Sequence, residues 1–237
     1  MIDVQNLTFG YPKTKKNVFD NFSLQVDKGM VCGLLGENGV GKTTLLYLMS
    51  GLLTPQSGKV LVDGIDVRKR KVETLSNIFI VPDEIELPKL TLSDYVDFYS
   101  PFYPCFSEDD MSKYLEIFCM KEYGLISELS LGQRKKLYMS FAFATNTQYL
   151  LMDEPTNGLD IPSKAQFRKL IAAGMSEEKT ILISTHQVRD IDKMLDHVMI
   201  ITNNKLLKNE SIVDSDMNLE QIFMDTISNN LNSDQNE

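Results

Sequence analysis

A glycine-rich segment that contains one lysine and two threonines has the composition of a phosphate-binding site. It reads Gly-Glu-Asn-Gly-Val-Gly-Lys-Thr-Thr from Gly36 to Thr44 and fits the pattern Gly-x-x-x-x-Gly-Lys-[Ser/Thr]. The glycines allow a tight turn whose consecutive backbone N–H groups point at one anion. Lys42 can reach the β- and γ-phosphates of a nucleotide, and the Thr43 hydroxyl can ligate Mg²⁺. The segment therefore predicts that the chain binds a nucleoside triphosphate.

Two adjacent carboxylates follow an apolar run later in the chain. Asp153 and Glu154 come directly after Tyr-Leu-Leu-Met and precede Pro155. Ligands of open α/β sheets bind at the carboxyl ends of the strands, where this pair would lie. Asp153 can hold Mg²⁺ directly or through water, and Glu154 can polarise an attacking water. The pair by itself also fits a solvated turn, but the phosphate-binding pattern in the same chain favours the catalytic interpretation.

The elements that must position these residues can be traced in the hydrophobic pattern. An apolar run at 30–35 predicts the strand before the glycine-rich turn, and 43–50 predicts the helix after it. Further strands are predicted over residues 2–9, 18–26, 59–62, 77–81, 149–153, 180–184, 197–201 and 205–207, and helices over 162–174, 187–195 and 219–227. This alternation predicts an α/β fold of the P-loop NTPase type. We expect a core built on a mostly parallel sheet and an N-terminal antiparallel β portion.

Strand patterns are absent between residues 83 and 145. Aromatic and aliphatic side chains recur there at helical spacing, so this stretch is predicted to be a helical sub-domain. We expect its aromatic side chains to form core or subunit contacts, because Arg and Lys are not interleaved with them as in a base-stacking surface. Residues 226–237 are acidic and rich in Asn and Ser, which predicts a disordered tail after a domain that spans 1–225.

Composition limits the possible partners. The 237 residues carry a net charge of −9, which argues against a duplex nucleic-acid ligand and against adhesion to anionic lipid by charge alone. The three cysteines are widely spaced and show no zinc or disulfide pattern, which favours a reducing compartment. The N-terminus lacks the pattern of a signal peptide. The longest uncharged stretch, 137–152, is shorter than the ~20 apolar residues that a membrane-spanning helix needs.

The order of five short segments resembles that of an ATP-binding cassette (ABC) nucleotide-binding domain over about residues 1–225. Leu-Ser-Leu-Gly-Gln from Leu129 to Gln133 is similar to the signature motif Leu-Ser-Gly-Gly-Gln of that family. The other matching segments are the phosphate-binding loop, the Asp153-Glu154 pair, Gly158-Leu-Asp160, which resembles the D-loop, and Ser184-Thr-His186, which resembles the segment of the switch histidine.

The resemblance implies a role for each matching position. Tyr11 would stack on adenine, Glu154 would act as the general base, and His186 would contact the γ-phosphate and orient the attacking water. His197 has no such motif around it and is expected to be structural. The implied ATP-binding residues of the loop are Gly36, Glu37, Asn38, Gly39, Val40, Gly41, Lys42, Thr43 and Thr44.

The resemblance also implies that two ABC domains share each ATP. Ser130, Gly132 and Gln133 would begin a helix whose N-terminus faces the γ-phosphate bound by the second domain, in a homodimer or a heterodimer. Asp160 would belong to the D-loop. A monomer is therefore expected to be nearly inactive.

Two positions depart from the family pattern. The third signature position is Leu131 instead of glycine, which leaves Ser130 and Gly132 in place. After the strand at 77–81 the family usually has a glutamine that contacts Mg²⁺, whereas this chain has Pro82 followed by Asp83. We hypothesise that Asp83 occupies the glutamine position and joins Thr43 and Asp153 at the metal. The alternative is that Asp83 points to solvent.

The function implied by the resemblance is Mg²⁺-dependent ATP hydrolysis that drives an ABC transporter. Such a chain would act peripherally at the cytoplasmic face of the membrane through separate permease subunits, without a nucleic-acid partner. The alternative is a soluble ABC-type ATPase that acts on ribosomes or DNA. Those proteins usually carry two cassettes or a long coiled coil, and this sequence has neither pattern. The signature segment argues against a kinase or a GTPase. The sequence does not indicate the transported substrate or its direction.

Overall fold

The computed structural model describes residues 1–12, 16–120, 124–212 and 218–234. Ten strands occur in this part of the chain: β1 Ile2–Phe9, β2 Phe19–Val26, β3 Val31–Leu35, β4 Ser57–Val62, β5 Ile65–Asp66, β6 Ile78–Val81, β7 Tyr149–Asp153, β8 Thr180–Thr185, β9 His197–Thr202 and β10 Lys205–Ser211. Seven α-helices are described with them: α1 Lys42–Met49, α2 Val72–Leu75, α3 Leu92–Tyr99, α4 Glu108–Ile117, α5 Leu131–Ala144, α6 Ile161–Gly174 and α7 Leu219–Asp234.

A six-stranded sheet forms the centre of the molecule, in the order β10-β9-β3-β8-β7-β6. Its neighbouring strands are parallel except β10, which pairs antiparallel with β9. Every residue of β3, β7 and β8 is buried, as expected for parallel strands covered on both faces. The register pairs Asp153 with Ser184 and Leu35 with Thr185, so the ends of three strands meet at one edge. The predicted mostly parallel sheet is confirmed.

A second sheet of four antiparallel strands, in the order β2-β1-β4-β5, confirms the predicted N-terminal β portion. Helix α1 contributes Leu45, Leu46, Leu48 and Met49 to one hydrophobic cluster with residues of both sheets. The helix that follows the glycine-rich turn is therefore held on two sides. This packing fixes the position of its N-terminus.

Helices α3, α4 and α5 lie between Pro82 and Thr145, where a helical segment was expected. Tyr95, Tyr114 and Phe118 are buried in the cluster that also contains β6, β7 and β8 residues. Phe98 is exposed at 62%. Most of the predicted aromatic clusters therefore belong to the core, and α5 is anchored directly against the main sheet.

Two expectations about helices were wrong in extent. The helix predicted over 187–195 is replaced by two short 3₁₀ turns, Val188–Asp190 and Asp192–Met194. The Thr185 hydroxyl accepts the Gln187 N–H and the Asp192 carboxylate accepts the Lys193 N–H, so side chains compete for the donors that a helix needs. Helix α7 continues past residue 227 to Asp234, into the segment predicted to be a tail. Residues 235–237 lie outside the described part.

None of the helices in the described ranges is both long and apolar enough to span a membrane.

Candidate functional site

The glycine-rich turn has the backbone that a phosphate-binding loop requires. Gly39 and Gly41 have φ values of 84° and 107°, in the region that favours glycine. A Cβ on Gly36 would lie 2.6 Å from the Ile201 carbonyl oxygen, so this position has no room for a side chain. The loop connects β3 to α1 as the sequence predicted. Gly41 is the N-cap of α1, and no side chain of a described residue caps that helix.

Lys42 lies inside the turn and is only 6% exposed. Its Nζ donates to the Gly36 and Glu37 carbonyl oxygens at 2.7 and 3.1 Å and lies 3.5 Å from Glu154 Oε1. Burial lowers the pKa of Lys42, and the nearby carboxylates of Glu154 and Asp153 oppose that shift. The ammonium group is thus held between the loop and the predicted catalytic carboxylate.

Asp153 ends strand β7 next to the first turn of α1. Its Oδ2 accepts a hydrogen bond from the Thr43 hydroxyl at 2.6 Å, and its Oδ1 accepts one from Ser184. The two residues predicted to hold Mg²⁺ are therefore in direct contact, although they are 110 positions apart in the sequence. The Asp153 side chain is oriented from both sides.

Glu154 follows in an unusual backbone conformation, with φ at 44° directly before Pro155. Its Oε2 accepts from the Thr185 hydroxyl at 2.9 Å. Its Oε1 accepts from the His186 backbone N–H at 3.2 Å and lies 2.9 Å from His186 Nδ1. The carboxylate that the sequence assigned as the general base is thus fixed by the segment that carries the predicted switch histidine.

Lys42, Asp153 and Glu154 face one cavity of about 490 Å³, whereas His186 lines a different cavity. The lining of the 490 Å³ cavity consists of Tyr11, Val18, Asn38, Gly39, Gly41, Lys42, Thr43, Thr44, Tyr47, Asp83, Glu84, Asp153 and Glu154. Tyr11, which was predicted to stack on adenine, is 39% exposed, and its hydroxyl lies 3.1 Å from Thr44 Oγ1. The cavity therefore combines an aromatic ring, an anion-binding turn, a buried cation and two carboxylates.

The oxygen ligands in this cavity fit Mg²⁺. Within the described ranges no group of three or more His, Cys, Asp or Glu side chains could hold a metal ion. Mg²⁺ in nucleotide sites usually takes only one or two protein oxygens and completes its shell with phosphate oxygens and water. Thr43 Oγ1 and Asp153 Oδ2 are hard oxygen donors at the mouth of the phosphate-binding loop. They fit that requirement.

The signature segment lies elsewhere. Ser130 is the exposed N-cap of α5 and forms a capping box with Gln133, in which Ser130 Oγ accepts the Gln133 N–H at 3.3 Å and Gln133 Oε1 accepts the Ser130 N–H at 2.9 Å. Leu131 is 70% exposed, and a Cβ on Gly132 would meet no atom within 4 Å. Neither Ser130, Gly132 nor Gln133 lines the cavity at Lys42.

The remaining predicted site residues lie in different surroundings. Asp160 is exposed and is the N-cap of α6, where its Oδ1 accepts the Ser163 N–H at 2.9 Å. Hydrogen bonds from Ser163 lower the pKa of Asp160. Asp83 lines the cavity, but its carboxylate is 3.2 Å from Lys135 Nζ, so it does not simply point to solvent. A metal role for Asp83 stays a prediction.

Comparison with known proteins places the chain among related sequences. A family model described as "ABC transporter" matches residues 19–157, which is more than half of the chain. The chain belongs to the ABC transporter family. The matched range contains the phosphate-binding loop, the signature segment and the Asp153-Glu154 pair.

Individual members of the family resemble this chain over most of its length. The ABC transporter ATP-binding protein NatA of Bacillus subtilis (strain 168) is 32% identical over 214 residues, which are 85% of this chain and 87% of NatA. YtrB of the same organism is 31% identical over 190 residues, 80% of this chain, and the chain spans only 65% of YtrB. A solved "ATP binding subunit of ABC transporter" has a TM-score of 0.84 and covers 96% of this chain and 99% of its own at 22% identity, which supports the P-loop NTPase fold.

Three residues at the site escaped the sequence reasoning. Ser184 and Thr185 were considered only as neighbours of His186, yet their hydroxyls bond Asp153 and Glu154 directly. The parallel pairing of β7 with β8 could have indicated this, because it aligns the ends of the two strands. Lys135 was not singled out in the sequence, although its amine donates to the Glu154 carbonyl oxygen.

Proposed function

We propose that this chain is the Mg²⁺-dependent ATPase subunit that powers an ABC transporter through separate membrane subunits. ABC ATP-binding domains are ATPases in general, and membership in the family supports the activity. The observation that carries the proposal is the convergence of Lys42, Thr43, Asp153 and Glu154 on one cavity behind an anion-binding turn.

The residues of the cavity divide the chemistry of phosphoryl transfer. The N–H groups of the turn and the N-terminus of α1 bind the β- and γ-phosphates, and Lys42 neutralises charge on them. Glu154 accepts a proton from the attacking water while its carboxylate is held by Thr185 and the His186 N–H. His186, hydrogen-bonded to the same carboxylate oxygen, orients Glu154. Its contact with the γ-phosphate stays a prediction.

Mg²⁺, held by Thr43 and Asp153 with Asp83 as a further candidate, would supply charge neutralisation at the β- and γ-phosphates. Asp83 is one of the residues that line the cavity, which supports it as a candidate. If it reaches the metal, Asp83→Gln and Asp83→Ala should raise the Mg²⁺ concentration required for half-maximal hydrolysis. Parent-like Mg²⁺ dependence in both variants would remove Asp83 from the metal site.

The site is completed by a second ABC domain. Ser130, Gly132 and Gln133 lie at an exposed helix N-terminus outside the cavity of their own chain, where they are available to a nucleotide held by a partner. Asp160, the exposed N-cap of α6, would lie in the same interface between the two ABC domains. The partner is a second copy of this chain or a related domain.

The test of the ATPase role compares the parent chain with Glu154→Gln. The amide keeps the shape of the side chain but cannot accept a proton, so kcat should fall by about 10²–10⁴-fold. Affinity for ATP should persist. Unchanged turnover in this variant would remove Glu154 as the base, and an inactive parent with no ATP binding would contradict the ATPase proposal itself.

The membrane partner is expected to be a permease, which would place the chain peripherally at the cytoplasmic face. The names of NatA and YtrB as ABC transporter ATP-binding proteins support this inference. The net charge of −9 argues against nucleic acid as a partner. Affinity purification from detergent-solubilised membranes should recover a membrane-spanning protein together with this chain. Recovery of ribosomal proteins instead would favour the soluble alternative.

A further inference from the structure

A second buried lysine lies beneath the site, on the signature helix. Lys135 is 5% exposed, and its ammonium group donates three hydrogen bonds to oxygen atoms. Its Nζ donates to the Glu154 carbonyl oxygen at 3.1 Å, to the Asn157 carbonyl oxygen at 3.0 Å and to Asp83 Oδ1 at 3.2 Å. An ammonium group has three donors, and here each of them has a partner.

Asp83 makes a second connection to the same turn. The Asn157 amide nitrogen lies 3.3 Å from both oxygens of the Asp83 carboxylate. We call Asp83, Lys135 and Asn157 the clamp. It ties three segments together: the segment that follows β6, the first turns of α5 and the turn that follows β7. These segments are far apart in the sequence.

The clamp acts on a backbone that requires external support. Glu154 has a φ of 44°, in a region that non-glycine residues rarely adopt and that persists only when the surroundings enforce it. Thr185 and His186 hold the carboxylate of Glu154. Lys135 holds the carbonyl oxygen of the same residue, and the Asn157 N–H donates to that oxygen at 3.0 Å. The orientation of Glu154 therefore depends on both sides.

One residue of the clamp lines two cavities. Asp83 lines the cavity that contains Lys42 and also a second one of about 400 Å³, whose lining includes Leu131, Gly132 and Lys135. A displacement of α5 relative to the turn after β7 would break contacts to the Glu154 backbone. The signature helix of a chain is thus mechanically connected to the carboxylate of that same chain.

We propose that Lys135 is a positioning residue for Glu154, held in place by Asp83. Lys135 does not line the cavity at Lys42, and it acts through the carbonyl oxygens of Glu154 and Asn157. This inference rests on the general-base role proposed above for Glu154. It assigns Asp83 a function that needs no contact with the metal.

The test compares Lys135→Met with Lys136→Met in the full-length chain. Methionine keeps the length of the lysine stem but donates no hydrogen bond. Lys136 is the matched control, because it is the adjacent lysine of the same helix but bonds Gln166 Oε1 at 3.2 Å. We expect kcat of Lys135→Met to fall about 10–100-fold, as for a misplaced catalytic group, with KM for ATP changed less than about threefold. Lys136→Met should stay within about twofold of the parent.

If Lys135 had a purely structural role, Lys135→Met would lower the melting temperature but would not lower kcat selectively over KM. Each rate is therefore measured well below the melting temperature of the variant. A parent-like kcat for Lys135→Met would overturn the proposal, and so would an equal loss in Lys136→Met.

If Lys135→Met does not fold, Asp83→Asn tests the same clamp, because it removes the counter-charge of Lys135 and keeps the size of the side chain. Asp83→Asn should lower kcat at saturating Mg²⁺, where any loss of metal affinity is compensated, and an unchanged kcat at saturating Mg²⁺ would overturn the clamp. If both single variants fold, the double variant with Lys135→Met and Asp83→Asn should have a kcat no lower than that of the less active single variant, since the two residues act as one unit.

Failure of the clamp is distinguishable from failure of the proposed function. If Glu154→Gln abolishes hydrolysis while Lys135→Met does not reduce it, the ATPase stands and the clamp is rejected. If Glu154→Gln hydrolyses ATP at the parent rate, the base assignment fails, and the clamp that rests on it is rejected as well.

Discussion

The N-termini of α1 and α5 carry the two motifs that would meet ATP, but their hydrogen bonds are arranged differently. At α1 the N-cap is Gly41, no described side chain caps the helix, and Lys42 is buried against the loop carbonyls. At α5 the N-cap Ser130 and Gln133 satisfy each other's backbone donors in a capping box. The first end leaves its donors open to an anion, whereas the second has satisfied part of its own donors and is exposed.

This difference indicates which helix end determines the affinity for ATP. The α1 end is pre-organised by packing between two sheets and is surrounded by Asp153, Glu154 and Thr43. The α5 end offers the Ser130 hydroxyl and an open space at Gly132. We therefore expect ATP affinity to depend on the α1 end and turnover to depend on both.

The largest effect on ATP affinity should come from Lys42→Ala, at the α1 end. Removal of a charge-assisted contact to phosphate costs about 1.5–3 kcal/mol, so ATP affinity should fall about 10–150-fold. Calorimetric titration of the purified chain measures this directly. An unchanged dissociation constant would contradict the phosphate-binding role of the α1 end.

A smaller but more selective effect is expected from Gly132→Asp. The free chain tolerates a side chain there, because a Cβ on Gly132 meets no atom within 4 Å. A carboxylate facing the phosphates of a partner should lower kcat at least about tenfold through like-charge repulsion, with ATP affinity of the single chain unchanged. Gly132→Ala is the control and should keep kcat within about threefold. Equal rates for the aspartate and alanine variants would remove Gly132 from the shared site.

The smallest effect should come from Ser130→Ala. Loss of an N-cap serine costs about 1 kcal/mol, which corresponds to a melting temperature lower by about 2–4 °C for a chain of this size. ATP affinity of the single chain should not change, because Ser130 lies outside the cavity of its own chain. Thermal unfolding followed by circular dichroism measures the shift, and a parent-like melting temperature would show that the capping box contributes little.

The sequence predicted the α1 end well because its determinants are local. The glycine turn, the buried strand before it and the helix after it are consecutive in the sequence, and the strand was recognisable as an apolar run. Even the contact between Thr43 and Asp153 follows from placing two strand ends at one edge of a parallel sheet. The roles of these residues in catalysis stay predictions.

The clamp was not predictable in the same way. Asp83, Lys135 and Asn157 carry no periodic or motif signal that relates them, and their contact arises only when α5 packs against the turn after β7. The sequence departure at Asp83 indicated an unusual position but suggested a metal instead of a lysine. The helix predicted over 187–195 was wrong for a related reason, because side chains of Thr185 and Asp192 take backbone donors that periodicity does not count.

The division of the site between two chains is tested most directly by the molar mass of Glu154→Gln in solution. The parent chain has a mass of 26.9 kDa, and light scattering coupled to gel filtration distinguishes one copy from two. We predict that the variant elutes as a dimer with ATP and Mg²⁺ and as a monomer with ADP, because ATP held at the α1 end joins the α5 end of the partner. A monomer at saturating ATP would contradict a shared site formed by two copies of this chain.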